Sequence, residues 1–231
     1  MNQSRVCAVL LAGGSGTRMN LDRTKQRLLI KGESVLSRTV SAFENCEEIT
    51  DIILVVKAED IDFALSETSG RFPKLRKVVE GAKCRALSAK NGFSAIDFPC
   101  DFVAIHDVAR CLVKPEMITK VVFDAFKYGA ASASVTVTDT VKRVSPDGFA
   151  FDTINRDELR LAATPQIFKC EFYRRALSEI DVDDPSITDD NMLMERLGIS
   201  VFMTDTGKNN IKVTYAEDIE YAEYLLGGRN V

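Results

Sequence analysis

The chain has 231 residues, of which 45% are hydrophobic, and a formal net charge of −4. This balance excludes the broad basic surface on which nucleic-acid-binding proteins depend, so an anionic ligand would need a local cluster of cations. Six cysteines without a CxxC spacing indicate neither a zinc site nor a disulfide framework. The apolar runs are too short to cross a membrane, and the N-terminal one is too short for a signal peptide. We therefore expect a cytoplasmic protein.

Apolar strands and amphipathic helices alternate along the chain, which predicts an α/β fold with a mostly parallel sheet and helices on both faces. The pattern predicts strands over residues 6–11, 52–56, 77–79, 102–105, 133–137 and 199–203. It predicts helices over residues 34–45, 61–69, 84–95, 115–128, 167–177, 191–197 and 215–226. At this length, a single domain covering residues 1–231 is the simplest organisation. Such sheets bind ligands beyond the carboxyl ends of their strands.

The first predicted strand leads into a glycine-rich loop, Ala12-Gly13-Gly14-Ser15-Gly16-Thr17-Arg18. Glycine lets the backbone approach a ligand closely, and clustered N–H groups can bind phosphate oxygens. Arg18 and Lys25 add two positive charges, a combination that suits a polyphosphate. The spacing fits neither the dinucleotide fingerprint, which needs a third glycine at a helix start, nor the P-loop, which needs Gly-Lys-Ser/Thr.

A second group of polar residues, His106, Asp107 and Arg110, follows the strand predicted over residues 102–105. The Asp107 carboxylate can hold a substrate hydroxyl or help to hold Mg²⁺, and the Arg110 guanidinium can bind a phosphate bidentately. The alternative is a structural ion pair at a strand end. His106 is the only histidine, but a phosphate monoester that attacks as a nucleophile is already anionic and needs no general base.

Residues 138–157 interrupt the alternation of strands and helices. An alternating polar–apolar stretch, the turn Ser145-Pro146-Asp147-Gly148 and a second apolar stretch predict a β-hairpin inserted in the domain. Because a lone hairpin is marginally stable in water, we expect it to pack on another surface. That surface is a second subunit or, as the alternative, the hairpin's own domain.

The loop with Arg18, Lys25 and Gln26 resembles the nucleotide loop of the 2-C-methyl-D-erythritol 4-phosphate cytidylyltransferase family and of its close relatives, the D-ribitol-5-phosphate cytidylyltransferases. Further partial motifs follow in the family's order as far as Asp218. The resemblance implies a Rossmann-like, nucleotide-diphospho-sugar transferase-like fold. It also implies transfer of CMP from CTP to a polyol phosphate in isoprenoid precursor synthesis, with Mg²⁺ as cofactor. The hairpin would then be the arm that holds a homodimer together.

The resemblance also implies roles for individual residues. The catalytic set is Arg18, Lys25, Arg156 and Lys212. The nucleotide-binding set is Ala12, Gly13, Gly14, Ser15, Gly16, Thr17, Gly81, Ala82, Lys83 and Ser88. Its last four members belong to the stretch 80–88, which resembles the family's base-reading loop. The acceptor-binding set is Asp107, Arg110, Thr140, Thr164 and Thr188, with Asp107 also as a metal ligand. By this match, the hairpin residues Thr140 and Arg156 reach the acceptor site of the other subunit.

Several positions depart from the family's pattern. Thr24 and Cys111 stand where prolines are usual, and Ala82 and Lys83 stand where a second glycine and an acidic residue are common. Leu87 also replaces an acidic residue. These departures leave open a base other than cytosine and a nucleotide-binding homologue with weak turnover. The acceptor is either 2-C-methyl-D-erythritol 4-phosphate, which the motifs in the last third of the chain favour, or D-ribitol 5-phosphate.

Overall fold

The computed structural model describes residues 4–13 and 24–227. The strands are β1 (Val6–Ala12), β2 (Leu29–Ile30), β3 (Glu33–Ser34), β4 (Asp51–Val56), β5 (Leu75–Glu80), β6 (Phe102–Asp107), β7 (Ala130–Thr136), β8 (Val141–Val144), β9 (Ala150–Ile154), β10 (Arg160–Lys169) and β11 (Phe202–Asp205). The helices are α1 (Val35–Glu44), α2 (Ile61–Thr68), α3 (Arg85–Ser94), α4 (Pro115–Tyr128), α5 (Cys170–Glu179), α6 (Asn191–Arg196) and α7 (Glu217–Gly227). None of these described helices is both long and apolar enough to span a bilayer.

A seven-stranded sheet in the order β11-β7-β10-β6-β1-β4-β5 forms the centre of the fold. Strand β1 is parallel to β4 and β6, β4 is parallel to β5, and β7 is parallel to β11. Only β10 runs antiparallel among the described strands of this sheet, and it pairs with both β6 and β7. The predicted α/β class with a mostly parallel sheet is therefore confirmed.

Helices cover both faces of the sheet because its central strands are apolar on both sides. Strand β1 is wholly buried and sends alternate side chains to the two faces, as its period of two requires. Leu10 packs on the face covered by α1, α2, α4 and α7, whereas Val9 packs on the face covered by α3, α5 and α6. Helix α4 begins at Pro115, and the residue that follows its last turn is Gly129, whose φ of 86° suits glycine.

The helix predicted over residues 167–177 is wrong at its start. Residues 160–169 form β10, and the helix α5 begins only at Cys170. Ile167 and Phe168 are fully buried and pair with Ala104 and Val103 of β6. The backbone groups of β6 and β7 need partners in the interior, and this strand supplies them. The other predicted helices and strands end within three residues of the observed ones.

The predicted hairpin is present as β8 and β9, which form a two-stranded sheet separate from the central one. The turn is closed by a hydrogen bond from the Gly148 N–H to the Ser145 carbonyl. Its aromatic side chains are not covered by the rest of the chain, since Phe149 is 75% exposed and Phe151 is 65% exposed. Thr140 and Arg156 lie at the two ends of the hairpin, and the Arg156 guanidinium donates to the Thr138 carbonyl.

Close packing of α3 on the sheet gives a prediction about Gly92. A Cβ at this position would lie 2.3 Å from Val9 Cγ1 and 2.7 Å from Val55 Cγ2. Alanine favours helices by about 1 kcal/mol over glycine, but overpacking costs about 1–3 kcal/mol or more. We expect Gly92→Ala to lower the free energy of unfolding by at least about 1 kcal/mol, measured by urea denaturation. Exposed Ser94→Ala on the same helix is the control and should be neutral or stabilising; equal behaviour of the two variants would contradict the packing.

Candidate active site

A pocket of about 510 Å³ opens at the carboxyl ends of β1, β4, β5 and β6, where the strand order predicted a ligand site. Among the described residues that line it, five are cationic: Lys25, Lys57, Lys83, Arg85 and Lys212. Asp107 is the one acidic residue of that described lining. A chain of net charge −4 thus concentrates positive charge in one cavity, as binding of a polyanion requires.

A second, smaller pocket of about 240 Å³ adjoins the first. Its lining includes Arg110, Ala162, Ala163, Thr164, Gln166, Thr188 and Asp189. Three further residues, Arg85, Asp107 and Lys212, line both pockets, and we call them the shared wall. Two ligands bound in the two pockets would therefore meet at these three side chains.

The Asp107 carboxylate holds the shared wall together. Its Oδ2 lies 2.7 Å from Lys212 Nζ, and its Oδ1 lies 2.9 Å from Arg85 Nε. Burial would raise the pKa of Asp107, but the two cations outweigh burial and hold the pKa well below its usual range. Asp107 is therefore a permanent anion that fixes the position of the half-exposed Lys212 ammonium.

Arg85 extends the network to a second buried carboxylate. Its Nη1 lies 2.6 Å from Asp190 Oδ2, and the Tyr173 hydroxyl donates to Asp190 Oδ1 at 2.7 Å. The backbone N–H of Asp190 donates to Gln166 Oε1 at 2.9 Å. Burial and the Asp190 carboxylate together raise the pKa of Tyr173, so the phenol remains a donor. The chain of contacts runs from α5 through Asp190 and Arg85 to the end of β6.

Lys25 is placed by the segment that follows the glycine loop. Its ammonium donates to the carbonyl oxygens of Val213 at 3.3 Å and Thr214 at 3.1 Å. Thr24, which stands where the family has proline, keeps a φ of −68°, the value that proline would impose. The Thr24 hydroxyl donates to the buried Asp60 carboxylate at 3.0 Å. This contact fixes the segment that proline would otherwise have stiffened.

The loop predicted to read the base, residues 81–88, closes on the hydroxyl of Ser88. This oxygen accepts from the Ala82 N–H at 2.9 Å and donates to the Cys84 carbonyl at 2.8 Å. A Cβ at Gly81 would lie 3.1 Å from the same oxygen, so the close turn favours glycine there. Lys83 projects to the surface and pairs with Asp183 at 2.6 Å.

Thr164 anchors the end of β6 from the side of the smaller pocket. Its hydroxyl accepts from the Asp107 N–H and contacts His106 Nδ1, both at 3.1 Å. Its carbonyl accepts from Asn210 Nδ2 at 2.8 Å, and the Asn210 carbonyl in turn accepts from Arg110 Nη1 at 2.9 Å. Thr164 and Arg110 therefore belong to one network that also positions the backbone of Asp107.

His106 is fully buried and packs against the ring of Phe43, with centroids 4.8 Å apart. Burial lowers its pKa to about 3, and the nearby Arg110 adds to this effect against the opposing charge of Asp107. The ring is therefore neutral near pH 7. Its contacts are with Thr164 and the core, which gives it a structural role beside the site.

The structure brings most of the sequence-predicted residues together. The larger pocket contains Ala12, Gly13, Lys25, Ala82, Lys83, Ser88, Asp107 and Lys212, and Gly81 closes its base-side loop. The smaller pocket contains Asp107, Arg110, Thr164, Thr188 and Lys212. Gly14, Ser15, Gly16, Thr17 and Arg18 lie outside the described residues. Thr140 and Arg156, at the ends of the hairpin, are not part of the described lining of either pocket.

Sequence reasoning missed Arg85, Gln166 and Asp190. Arg85 occupies the first turn of α3, where the helix dipole disfavours a cation. A basic residue at that position, just after a strand of the sheet, is the signal that could have indicated a carboxylate partner. Asp190 stands at the N-cap position of α6, but its side chain makes no capping hydrogen bond and contacts Arg85 and Tyr173 instead.

Known proteins of one family match this chain over nearly its whole length. The family model described as IspD: 2-C-methyl-D-erythritol 4-phosphate cytidylyltransferase matches residues 6–228. Proteins named 2-C-methyl-D-erythritol 4-phosphate cytidylyltransferase include one from Clostridium perfringens, 37% identical over 96% of this chain and 99% of its own. Another, from Caldanaerobacter subterraneus, is 38% identical over 96% of this chain and 98% of its own.

Solved structures show the same relationship. The crystal structure of 4-diphosphocytidyl-2C-methyl-D-erythritol synthase from Anaerococcus prevotii superposes with a TM-score of 0.87 at 28% identity. It covers 98% of this chain and all of that one. The 2-C-methyl-D-erythritol 4-phosphate cytidylyltransferase of Francisella tularensis gives a TM-score of 0.79 at 25% identity, over 96% and 99% of the two chains.

The environment of His106 gives a prediction that is easy to measure, because His106 is the only histidine in the sequence. We expect its ring proton resonances not to titrate between pH 5 and 8 in the native protein, since the pKa is about 3. In urea, the same ring should titrate near its usual value of about 6.5. Because the unfolded chain then binds a proton that the native state does not, stability should fall as pH drops from about 6.5. A native pKa near 6.5 by proton NMR would contradict the buried, neutral assignment.

Proposed function

This chain belongs to the 2-C-methyl-D-erythritol 4-phosphate cytidylyltransferase family, and we propose that its two adjoining pockets bind the two substrates of that reaction. The enzyme transfers CMP from CTP to 2-C-methyl-D-erythritol 4-phosphate and releases pyrophosphate. The larger pocket takes CTP and the smaller pocket takes the acceptor. The observation that carries this assignment is the shared wall, because Arg85, Asp107 and Lys212 lie where the two ligands would meet.

The chemistry requires one bond to form and one to break at the α-phosphorus of CTP. An oxygen of the acceptor phosphate attacks in line, and the bond to the pyrophosphate breaks. The attacking oxygen is already anionic, so no side chain needs to remove a proton. His106 agrees with such a mechanism, because its pKa of about 3 makes it a weak base and it is absent from the described lining of both pockets. What the protein supplies is position and positive charge.

Four cations are assigned to this task. Lys25 and Lys212 both line the larger pocket, and Lys212 also faces the smaller one. We assign Lys25, with Arg18 of the glycine loop, to the charge that develops on the triphosphate. Lys212 is assigned to the acceptor phosphate, because it stands at the boundary that this phosphate must approach. Arg110 and Thr188, in the smaller pocket, are placed to bind the acceptor.

We also propose that Mg²⁺ accompanies the triphosphate and offsets its charge when bound. The described residues contain no group of three acidic, histidine or cysteine side chains able to hold a metal on their own. Asp107 is the single carboxylate of the described lining of the larger pocket, and both of its oxygens already contact cations. The residues fit a Mg²⁺ ion that is held mainly by phosphate oxygens with Asp107 nearby, as is usual for nucleotide-bound Mg²⁺.

The hairpin arm is proposed to complete the site of a second subunit in a homodimer. The exposed Phe149 and Phe151 form an apolar surface that an isolated hairpin would leave in water. Thr140 and Arg156 lie at its ends, exposed and separate from the described pocket lining of their own chain. A two-fold arrangement would let each arm bring these two residues to the acceptor of its partner.

The substrate assignment is tested by pyrophosphate release from a panel of triphosphates crossed with a panel of polyol phosphates. We expect turnover with CTP and 2-C-methyl-D-erythritol 4-phosphate, and the names of the relatives favour this acceptor over D-ribitol 5-phosphate. The methyl branch and chain length discriminate by only about 1–3 kcal/mol, so weak turnover of the pentitol phosphate is compatible. Preference for a purine triphosphate, or for ribitol phosphate, would overturn the assignment.

The trans role of the arm is tested by mixing two inactive variants, Lys25→Ala and Arg156→Ala. We expect each alone to lose about 10²-fold or more in kcat. If Arg156 acts in trans, a heterodimer has one site with both defects and one with neither. Co-refolding then restores about a quarter of wild-type sites by random pairing.

The control for this complementation is a mixture of Lys25→Ala with Lys212→Ala. These residues line one pocket of the same chain, so each heterodimer site keeps one defect and activity should not return. Recovery in the first mixture but not the second supports the arm. If the first mixture recovers no activity although native mass spectrometry shows heterodimers, Arg156 acts within its own subunit or has no role in the reaction.

A further inference from the structure

Arg85 begins α3 on the nucleotide side of the site, yet its ion pairs are directed to the acceptor side. Its guanidinium joins Asp107, at the end of β6, to Asp190, which follows the pocket residues Thr188 and Asp189. We propose that Arg85 is a positioning residue for the acceptor: it fixes the Asp107–Lys212 pair and ties the segment 188–190 to the shared wall. This inference rests on the proposed function and adds to it a residue outside the family-derived set.

The energetic setting shows that Arg85 is held by its partners. Its side chain is 28% exposed, and it lies at the helix N-terminus, so both burial and the helix dipole oppose its charge. Two carboxylates, at 2.9 and 2.6 Å, outweigh these costs. Buried ion-pair triads are often no more stabilising than apolar side chains of similar volume. The arrangement therefore points to placement of the carboxylates as the role of Arg85.

The geometry favours positioning over direct binding of a substrate by Arg85. Its Nε and Nη1 are engaged by the Asp107 and Asp190 carboxylates. Its third nitrogen, Nη2, is shielded from solvent and has no hydrogen-bond partner among the described residues. The N–H groups of the guanidinium are thus directed at two protein carboxylates. A phosphate in either pocket would have to compete with these carboxylates.

The first consequence concerns Lys212. Its side chain is 45% exposed and is anchored through Asp107 Oδ2. Without Arg85, the Asp107 carboxylate loses the contact that holds its Oδ1 atom, and only the contact of Oδ2 with Lys212 remains. The carboxylate is then less well fixed, and its hold on Lys212 should weaken. The ammonium assigned to the acceptor phosphate would then be less well placed, and displacements of about 1 Å can cost about 10²-fold in rate.

The second consequence concerns the wall of the smaller pocket. Asp189 accepts from Gln166 Nε2 at 2.8 Å, and the Asp190 N–H donates to Gln166 Oε1. With Arg85 removed, Asp190 would keep Tyr173 as a donor but lose its ionic partner. The segment that carries Thr188 would lose its tie to β6. Both consequences affect the binding and placement of the acceptor, although Arg85 belongs to the stretch that resembles the family's base-reading loop.

The test compares Arg85→Met and Arg85→Lys with the wild-type enzyme, using steady-state kinetics for both substrates and calorimetric titration of CTP alone. We expect Arg85→Met to lower kcat/KM for the acceptor by about 10- to 100-fold, with the CTP Kd changed less than about 3-fold. Arg85→Lys keeps the positive charge but lacks the planar guanidinium that pairs with two carboxylates at once. It should therefore recover only part of the lost kcat/KM for the acceptor. Lys90→Met removes an exposed cation from the same helix and should match the wild type.

A further readout separates positioning from a general loss of structure. In a Lys212→Met background, Arg85→Met should cause a smaller loss than in the wild type, because the part that acts through the Asp107–Lys212 contact is already gone and only the part that acts through Asp190 remains. If Arg85→Met does not fold, Asp190→Asn removes the ion pair between Arg85 and Asp190 with little change in side-chain shape. This variant should raise the acceptor KM.

A loss of CTP affinity as large as the acceptor effect would overturn the proposal, and so would full additivity with Lys212→Met. Unchanged acceptor kinetics in Arg85→Met would do the same. The wild-type and Lys90→Met enzymes report separately on the proposed function. If they fail to turn over CTP with 2-C-methyl-D-erythritol 4-phosphate, the function is wrong, whatever Arg85 does.

Discussion

The structure of the site depends on one buried carboxylate held between two cations. Asp107 ends a fully buried strand, so its backbone is fixed by the sheet, by Thr164 and by the core beneath it. A buried charge is tolerated only when it is paired, and its partners Arg85 and Lys212 come from distant parts of the chain. The need to pair this charge therefore brings α3 and the segment after β11 to the same edge of the sheet.

This arrangement also explains how an acidic protein binds polyanions. The net charge of −4 describes the whole surface, whereas the described lining of the larger pocket has five cations and a single carboxylate. Away from the pocket, for example, the Asp51 carboxylate is tied to Arg5 and Arg76 at 2.8 and 2.6 Å. Within a concave, partly desolvated site, a local excess of cations acts more strongly on a ligand than the distant net charge.

Much of this could be predicted from the sequence, because it depends on local patterns. The strand–helix order and the position of Asp107 at the end of β6 follow from periodicity and from the rule for strand ends. Lys25 is indicated by its charge and by the family resemblance, and it lines the larger pocket. The Arg85–Asp190 pair could not be predicted, since its members are 105 residues apart and meet only when α3 and α6 pack on one face. The helix assigned to residues 167–177 failed for a similar reason, because partners from β6 and β7 turned Ile167 and Phe168 into a strand.

The shared wall addresses the main physical obstacle to the reaction, which is repulsion between two phosphates. Two unit charges 4 Å apart repel by about 4 kcal/mol at an effective dielectric constant of about 20, and both substrates carry more than one charge. A site with cations only at its far ends would bind both ligands and still leave them apart. Lys212 lines both pockets and contacts Asp107, which Arg85 contacts in turn, so in the proposed arrangement its ammonium is held between the two phosphates. A carboxylate beside two anions is therefore an advantage, because it holds the cation between them.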